Sequence, residues 1–337
     1  MIGQEIHEVE RKVISILKIL SESREPVGAR VIAFRLKDHG VYLTQRAVGY
    51  HLQLLDERGL TSIVGRKDGR LITPSGLIEL HNALVGDRVS SARARIETLA
   101  YQISFEPEER VGNVPINVSL FPADKFNGAL EAMKSIYGSR LCFSDLAAIA
   151  GEGDRLGEVT IPKGEVGLVT LSGIVISGIL LRSGIPIDFK FAGVLQIRKR
   201  ECLRFIDLIN YTGSSLDPSK VFIASKMTSV SGAVREGNGT IIASFCEFPA
   251  LALSKAEAVF RQMETAGITG LSRIGKAGET VCETPVGMNR VGMILADGLN
   301  LVAVAAEAGI EVVNHAMCGV IDFRKLKSLQ DLEYIGQ

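Results

Sequence analysis

No cysteine framework is present. The five cysteines (Cys142, Cys202, Cys246, Cys282 and Cys318) are scattered without a Cys-x-x-Cys pair. That excludes a disulfide-stapled fold and a thiolate zinc site, and favours reduced, buried cytosolic thiols. The five histidines are equally dispersed, and His7-Glu8 lacks the second histidine of a zinc-protease motif. Long apolar runs are missing too. The longest uncharged stretch, Val166 to Leu181, has 16 residues, short of the about 20 that a bilayer requires. Gly173 and Gly178 interrupt it, and the N-terminus has no signal-like apolar segment. A soluble, cytoplasmic protein with no membrane partner, no metal and no cofactor is expected. Nor is there an excess of one charge: 38 Lys+Arg balance 38 Asp+Glu. Any nucleic-acid signature must therefore be local. There is no Gly-x-Ser-x-Gly, no P-loop, and no Gly-x-Gly-x-x-Gly after a strand. Residues 151–157 have the wrong spacing and read as an exposed turn. These absences favour binding over catalysis. A metabolite-converting enzyme, or a bifunctional protein using the C-terminal region, is the alternative.

What is present begins with length and hydrophobicity. At 337 residues and 46% hydrophobic content, two or three domains with real cores are expected. The first 72 residues carry 12 Lys+Arg and 9 Asp+Glu. Ile6 to Leu20 is amphipathic, with Val9, Val13, Ile16, Leu17 and Leu20 on one side. Pro26-Val27-Gly28 marks a turn, and Ala29 to Leu36 is a short second helix carrying Val31, Ile32 and Leu36. Thr44 is a good N-cap and Gly59 a good stop for a third helix between them. Val48, Leu52 and Leu55 form its buried stripe, while Gln45, Arg46, Gly49, Tyr50 and Gln53 remain on the open face. Those side chains suit base edges and phosphates. Leu60 to Gly65 and Leu71 to Thr73 flank an Asp-Gly turn whose tip holds Arg66, Lys67 and Arg70, which are expected to lie along phosphates. Three helices and a basic hairpin describe a winged helix-turn-helix, with double-stranded operator DNA as partner. The weak positive excess points to a homodimer that doubles the contacts.

The rest of the chain repeats itself at an offset of about 125 residues. Gly112-Asn113 recurs as Gly237-Asn238, Phe121-Pro122-Ala123 as Phe248-Pro249-Ala250, and Val166-Gly167 as Val291-Gly292. Gly173 recurs as Gly298, Gly184-Ile185 as Gly309-Ile310, and Gly193-Val194 as Gly319-Val320. Each copy reads β-α-β-β-α-β, preceded by a helix (Arg88 to Gln102, and Arg198 to Asn210). The fold class is therefore α+β: a winged helix over residues 1–80, then a regulatory domain of two β-α-β-β-α-β repeats over 81–205 and 206–330.

Buried strands run into apolar helices through Ser172-Gly173 and Asp297-Gly298. A helix N-terminus suits a carboxylate, and Asp297 would repel one, so the first copy is the better anion site. Thr170, Ser172 and Ser177 are its candidate hydroxyls. Arg182, Lys190, Arg290 and His315 are its candidate cationic partners, set against their bland roles as cap, strand and helix-end residues.

Read together, winged helix and duplicated lobe resemble the NrpR family of nitrogen-regulation repressors. The resemblance rests on Leu54-Leu55-Asp56-Glu57-Arg58-Gly59-Leu60, on Ile72-Thr73-Pro74-Ser75-Gly76, and more distinctively on 167–173 (Gly-Leu-Val-Thr-Leu-Ser-Gly) and 314–319 (Asn-His-Ala-Met-Cys-Gly). It implies a dimeric repressor of nitrogen-assimilation genes, with 2-oxoglutarate as an effector that weakens operator binding. One regulatory domain is present where some members carry two, which leaves room for a second regulatory protein as partner.

Overall fold

The computed structural model describes residues 2–23, 25–64, 69–83, 91–214 and 217–335, with side chains outside 2–11, 39, 81–92 and 271–272. The chain forms two compact units, 1–89 and 90–337. In the first, helices α1 (Ile2–Ser21), α2 (Ala29–Arg35) and α3 (Gln45–Glu57) precede strands β1 (Thr61–Val64) and β2 (Gly69–Ile72), and α4 (Pro74–Ala83) follows. Ile16, Leu17 and Leu20 of α1 meet Ile32 of α2 and Val48, Leu52 and Leu55 of α3 in one core. Val13 packs at its edge, Val9 lies outside the described side chains, and Val31 is exposed. β1 and β2 pair antiparallel from Thr61↔Ile72 to Val64↔Gly69. Val27 bridges Arg70 on the outer side of β2, so the Pro26-Val27-Gly28 turn is pinned to the hairpin.

The second unit opens with α5 (Ser91–Gln102). The first repeat then supplies β3 (Asn113–Pro122), α6 (Phe126–Lys134), β4 (Leu146–Ala150), the small hairpin β5 (Arg155–Leu156) and β6 (Val159–Thr160), β7 (Glu165–Leu171), α7 (Ile174–Arg182) and β8 (Asp188–Arg198). Next come β9 (Glu201–Asn210), α8 (Pro218–Ala224) and α9 (Val230–Arg235). The second repeat supplies β10 (Gly239–Pro249), α10 (Leu253–Thr265), β11 (Leu271–Ala277), β12 (Arg290–Ala296), α11 (Asn300–Glu307) and β13 (Val313–Asp322), with a short β14 (Lys327–Ser328) after it.

Within the repeats the expected element order is observed, except that the first adds the β5–β6 hairpin, whose Arg155–Leu156 strand falls in the 151–157 segment expected as an exposed turn. The segment before the second copy differs. Arg198 to Asn210, expected as a helix, is a strand: β9 turns back on β8 through Lys199-Arg200 and pairs with it from Arg198↔Glu201 to Phe191↔Asn210. Both turn residues have positive φ (51° and 66°), the geometry of a type I′ hairpin usually made with Asn-Gly. The turn is tied down by neighbours. Arg200 N–H donates to the Gly237 carbonyl (2.9 Å), and Lys199 N–H to Asn238 Oδ1 (3.2 Å). Tertiary contact therefore overrides a local sequence that carries no turn signal.

The closing strands are exchanged. One sheet has the order β13-β3-β7-β4-β14 and the other β11-β12-β10-β8-β9. The last strand of the second repeat lies against the first strand of the first (Val313↔Leu120 to Asp322↔Asn113), and the last strand of the first repeat against β10 (Gly239↔Ile197 to Glu247↔Asp188). The duplicated Gly-Asn motif marks each exchange. The Gly112 carbonyl accepts from Phe323 N–H and the Gly237 carbonyl from Arg200 N–H, both at 2.9 Å. Each of the two cores draws residues from both repeats. The division expected at 205/206 falls inside β9, so the repeats are units of sequence rather than separate sheets.

A fragment covering 90–205 would leave β3 without β13 and β8 without β10, and unpaired edges cost both packing and backbone hydrogen bonds. We expect circular dichroism of that fragment to show no cooperative melt, while fragment 90–337 melts in one transition. Two separated transitions in 90–337 would contradict this.

Candidate DNA-binding surface and regulatory pocket

α3 is positioned by its cap and its buried stripe. Thr44 is extended, and its Oγ1 accepts the Ala47 N–H at 3.2 Å. Burial of Val48, Leu52 and Leu55 turns the opposite face outward, where Gln45, Arg46 and Gln53 are exposed and Tyr50 is 63% exposed. Gln53 Nε2 donates to Glu57 Oε1 (3.3 Å). The structure therefore gathers Thr44, Gln45, Arg46, Tyr50 and Gln53 on one helix. Arg66 and Lys67 lie outside the described residues.

Arg70 is a correction to the set of phosphate-facing residues. Its side chain is only 12% exposed, and its Nε donates to Asp56 Oδ2 at 3.0 Å. Asp56 Oδ1 also accepts from Thr61 Oγ1 (2.5 Å). The pair welds the end of α3 to the hairpin. The guanidinium is held by a carboxylate in the fold, and the sequence reading missed this because Asp56 and Arg70 are 14 residues apart and meet only through the hairpin.

In the regulatory unit the two strand-to-helix turns meet. A Cβ on Gly298 would stand 2.1 Å from the Leu171 carbonyl oxygen and 3.3 Å from Asn117 Nδ2. The turns expected to be separate sites thus share one pocket, lined by Asn117, Ser172, Tyr211, Asp217, Ser219, Ser244 and Asp297, around a void of about 40 Å³. Asp297 accepts from Leu299 N–H and from Ser219 Oγ, both at 2.8 Å. Burial, opposed by those hydrogen bonds, raises its carboxyl to about 6. Burial also raises Asp217, which caps α8 by accepting the Lys220 N–H at 3.0 Å. Tyr211 and Ser244 share a 2.9 Å hydrogen bond, and burial raises the phenol.

The other effector candidates do not converge there. Thr170 is buried within the sheet and its hydroxyl has no hydrogen-bond partner. Ser177 lines a different hollow beside Arg93, Leu181 and Asp188. Arg182 pairs with Glu106 and donates to the Phe105 carbonyl at 3.3 Å. Lys190 and Arg290 meet at Glu247, each 3.5 Å from its Oε2, and Lys190 also pairs with Asp188 at 2.6 Å. His315 sits half-buried on β13, its pKa lowered by burial and then by Lys220. Of the candidate effector hydroxyls and cations named from sequence, only Ser172 lines this pocket, together with Asp297, which was set aside as repelling an anion. The polar groups of Tyr211, Ser219 and Ser244 were missed. The 125-residue offset does pair Ser172 with Asp297, a signal that the two turns are equivalent but not that they touch. Among the described residues no group of three or more His, Cys, Asp or Glu is placed to hold a metal, and no helix is long and apolar enough to cross a membrane.

Comparison with known proteins places both units. The family model "NrpR regulatory domains NRD1 and 2" matches residues 89–328. The chain belongs to the NrpR family. A second model, the ribonuclease R winged-helix domain, matches residues 14–80. The global nitrogen regulator NrpRI of Methanosarcina mazei is 34% identical over 96% of this chain and 99% of its own length. The global nitrogen regulator NrpR of Methanocaldococcus jannaschii is 35% identical over 97% of this chain, and that of Methanococcus maripaludis 29% over 88%. This NrpR-family chain spans only 56% and 51% of those two proteins. A crystal structure of a nitrogen repressor-like protein from Methanococcus jannaschii superposes with a TM-score of 0.60 at 26% identity, covering 71% of this chain and 98% of that one. These NrpR relatives are transcription regulators, not enzymes.

The buried acid of the pocket carries a pH signature. Asp297 has a folded pKa of about 6, above the 3.8 of an ordinary aspartate. A raised acid contributes stability that is full below the unfolded pKa and is lost as pH rises through the folded one. From pH 4 to pH 6 Asp297 therefore progressively destabilises the native state, on the order of 2–3 kcal/mol in all. Urea titrations should find Asp297→Asn gaining stability relative to the parent across that window. A difference that is flat with pH would show that the carboxyl is not held neutral by burial.

Proposed function

We propose that this protein is a DNA-binding repressor of nitrogen-assimilation genes that acts as a homodimer and releases its operator when a small dicarboxylate, 2-oxoglutarate, occupies the regulatory unit. The observation that carries the DNA-binding part is α3: a capped helix whose exposed face gathers Gln45, Arg46, Tyr50 and Gln53. Such a face suits major-groove readout. The likeness to proteins named as global nitrogen regulators supports the gene class.

Arg46→Ala should weaken operator binding by about 1–3 kcal/mol and leave nonspecific binding less affected. Arg70→Ala should lower folding stability while leaving the salt slope of DNA binding unchanged, because its charge is held by Asp56. Fluorescence anisotropy against a selected operator at several salt concentrations reads both. Unaltered operator binding by Arg46→Ala would remove α3 from the interface.

The dimer is assigned to the regulatory unit, since one winged helix of weak positive charge binds poorly alone. Fragment 90–337 should sediment as a dimer at micromolar concentration, and a monomer there would overturn the assignment.

The effector pocket is the one between the Ser172 and Asp297 turns. Its void of about 40 Å³ is water-sized, so a five-carbon dicarboxylate must part the two turns to enter. That movement would act on both repeats at once, because they share their sheets. Ser172, Asn117, Ser219 and Tyr211 supply hydroxyl and amide partners, while an ionised Asp297 opposes an anion. Calorimetry should therefore find 2-oxoglutarate binding more tightly as pH falls through about 6. Asp297→Asn should flatten that dependence, and Ser172→Asp should abolish binding. Normal binding by Ser172→Asp would exclude this pocket.

A further inference from the structure

Cys202 and Cys282 are 80 residues apart in sequence and meet in the fold. Cys202 lies on β9, one edge of its sheet. Cys282 lies on the segment joining β11 to β12 at the opposite edge. That segment reaches β9: Cys282 Sγ donates to the Cys202 carbonyl at 3.4 Å, and Glu283 stands 3.8 Å from Arg204. The Cys282 thiol therefore lies against the Cys202 residue itself, and each thiol perturbs the other. Cys282 is presented by a tight turn. Val281 and Thr284 exchange backbone hydrogen bonds of 3.0 and 2.9 Å, and Cys282 and Glu283 between them both have positive φ (47° and 60°). Non-glycine residues held in that region are costly and are kept only where the surroundings impose them. Both cysteines are half-buried, whereas Cys142, Cys246 and Cys318 are buried.

We propose that Cys202 and Cys282 form a reversible oxidation site, a dithiol that closes to an intramolecular disulfide on exposure to a peroxide and reopens with a dithiol reductant. The Cys282 thiolate attacks one peroxide oxygen, the O–O bond breaks, and hydroxide or alkoxide leaves, giving a sulfenic acid at Cys282. The Cys202 sulfur then attacks the sulfenic sulfur. The S–S bond forms, the S–O bond breaks, and the Cys202 proton leaves with the hydroxyl as water. Two electrons pass from the thiols to the peroxide. The order of attack follows from the electrostatics. The Cys202 thiol donates a hydrogen bond that lowers the pKa of Cys282, and Arg273 adds to the shift, while the same pairing and burial raise Cys202. Closure would strap the β11–β12 segment to β9, across the sheet built from both repeats.

The test uses the full chain, reduced and then treated with stoichiometric hydrogen peroxide. Peptide mapping without reductant should find one cross-linked species, 202–282, with the loss of two hydrogens in mass and its reversal by dithiothreitol. The other three thiols should remain alkylatable after denaturation. In Cys202→Ser a sulfenic acid at Cys282 should accumulate and be trapped by dimedone; in Cys282→Ser no intramolecular disulfide should form. If the wild-type chain keeps five free thiols, or its cross-link joins other cysteines or two chains, the proposal is overturned. That reading comes from the wild type and does not depend on how well either variant folds.

Discussion

The regulatory unit depends on the reciprocal exchange of closing strands. β8 completes the sheet of the second repeat and β13 completes that of the first. Without the exchange, β3 and β10 would each lose a neighbour along nearly their whole length, and the backbone groups left behind would be unpaired. Exchange also explains why Gly112-Asn113 and Gly237-Asn238 recur. Each glycine carbonyl accepts a backbone N–H from a residue one or two positions beyond the other repeat's last strand. The pocket between the Ser172 and Asp297 turns follows from the same arrangement, since it forms where the two equivalent β-to-α turns are brought back to back.

The shared sheets have a mechanical consequence. A ligand that parts the two turns cannot displace one repeat and leave the other in place, because each repeat holds a strand of its partner's sheet. Packed, interdigitated cores respond to such a push by changing between discrete arrangements rather than by deforming smoothly. A duplicated and strand-exchanged lobe is therefore suited to turning a small local event into a change of the whole unit. The buried pair Asp217 and Asp297 adds a cost to the closed pocket when ionised, and the hydrogen bonds to Lys220, Leu299 and Ser219 offset part of that cost.

Most of the element order was legible in the sequence, and for physical reasons. The winged helix announces itself through Thr44, the Val48-Leu52-Leu55 stripe and the strands either side of an Asp-Gly turn. The β and α segments of each copy follow from alternation and from glycine stops. What was not legible depends on long-range contact. Arg198 to Asn210 has no turn residues at Lys199-Arg200, so its hairpin is visible only once Gly237 and Asn238 are seen to hold it. Arg70 reads as a surface cation until Asp56 is placed beside it. Lys190 and Arg290 read as free cations until Glu247 is found between them. Periodicity assigns strands but not their neighbours, so the repeat predicted equivalence of the Ser172 and Asp297 turns without predicting that they share a pocket.

Native-state hydrogen exchange read by mass spectrometry tests the exchange most directly, because it reports which strands open together. With the closing strands exchanged, the slow amides of β3 and β13 should share one opening free energy with those of β8 and β10, and all should respond alike to added denaturant. Separate opening energies for residues 113–198 and 239–322 would mean that the repeats fold as independent lobes, and would contradict the account.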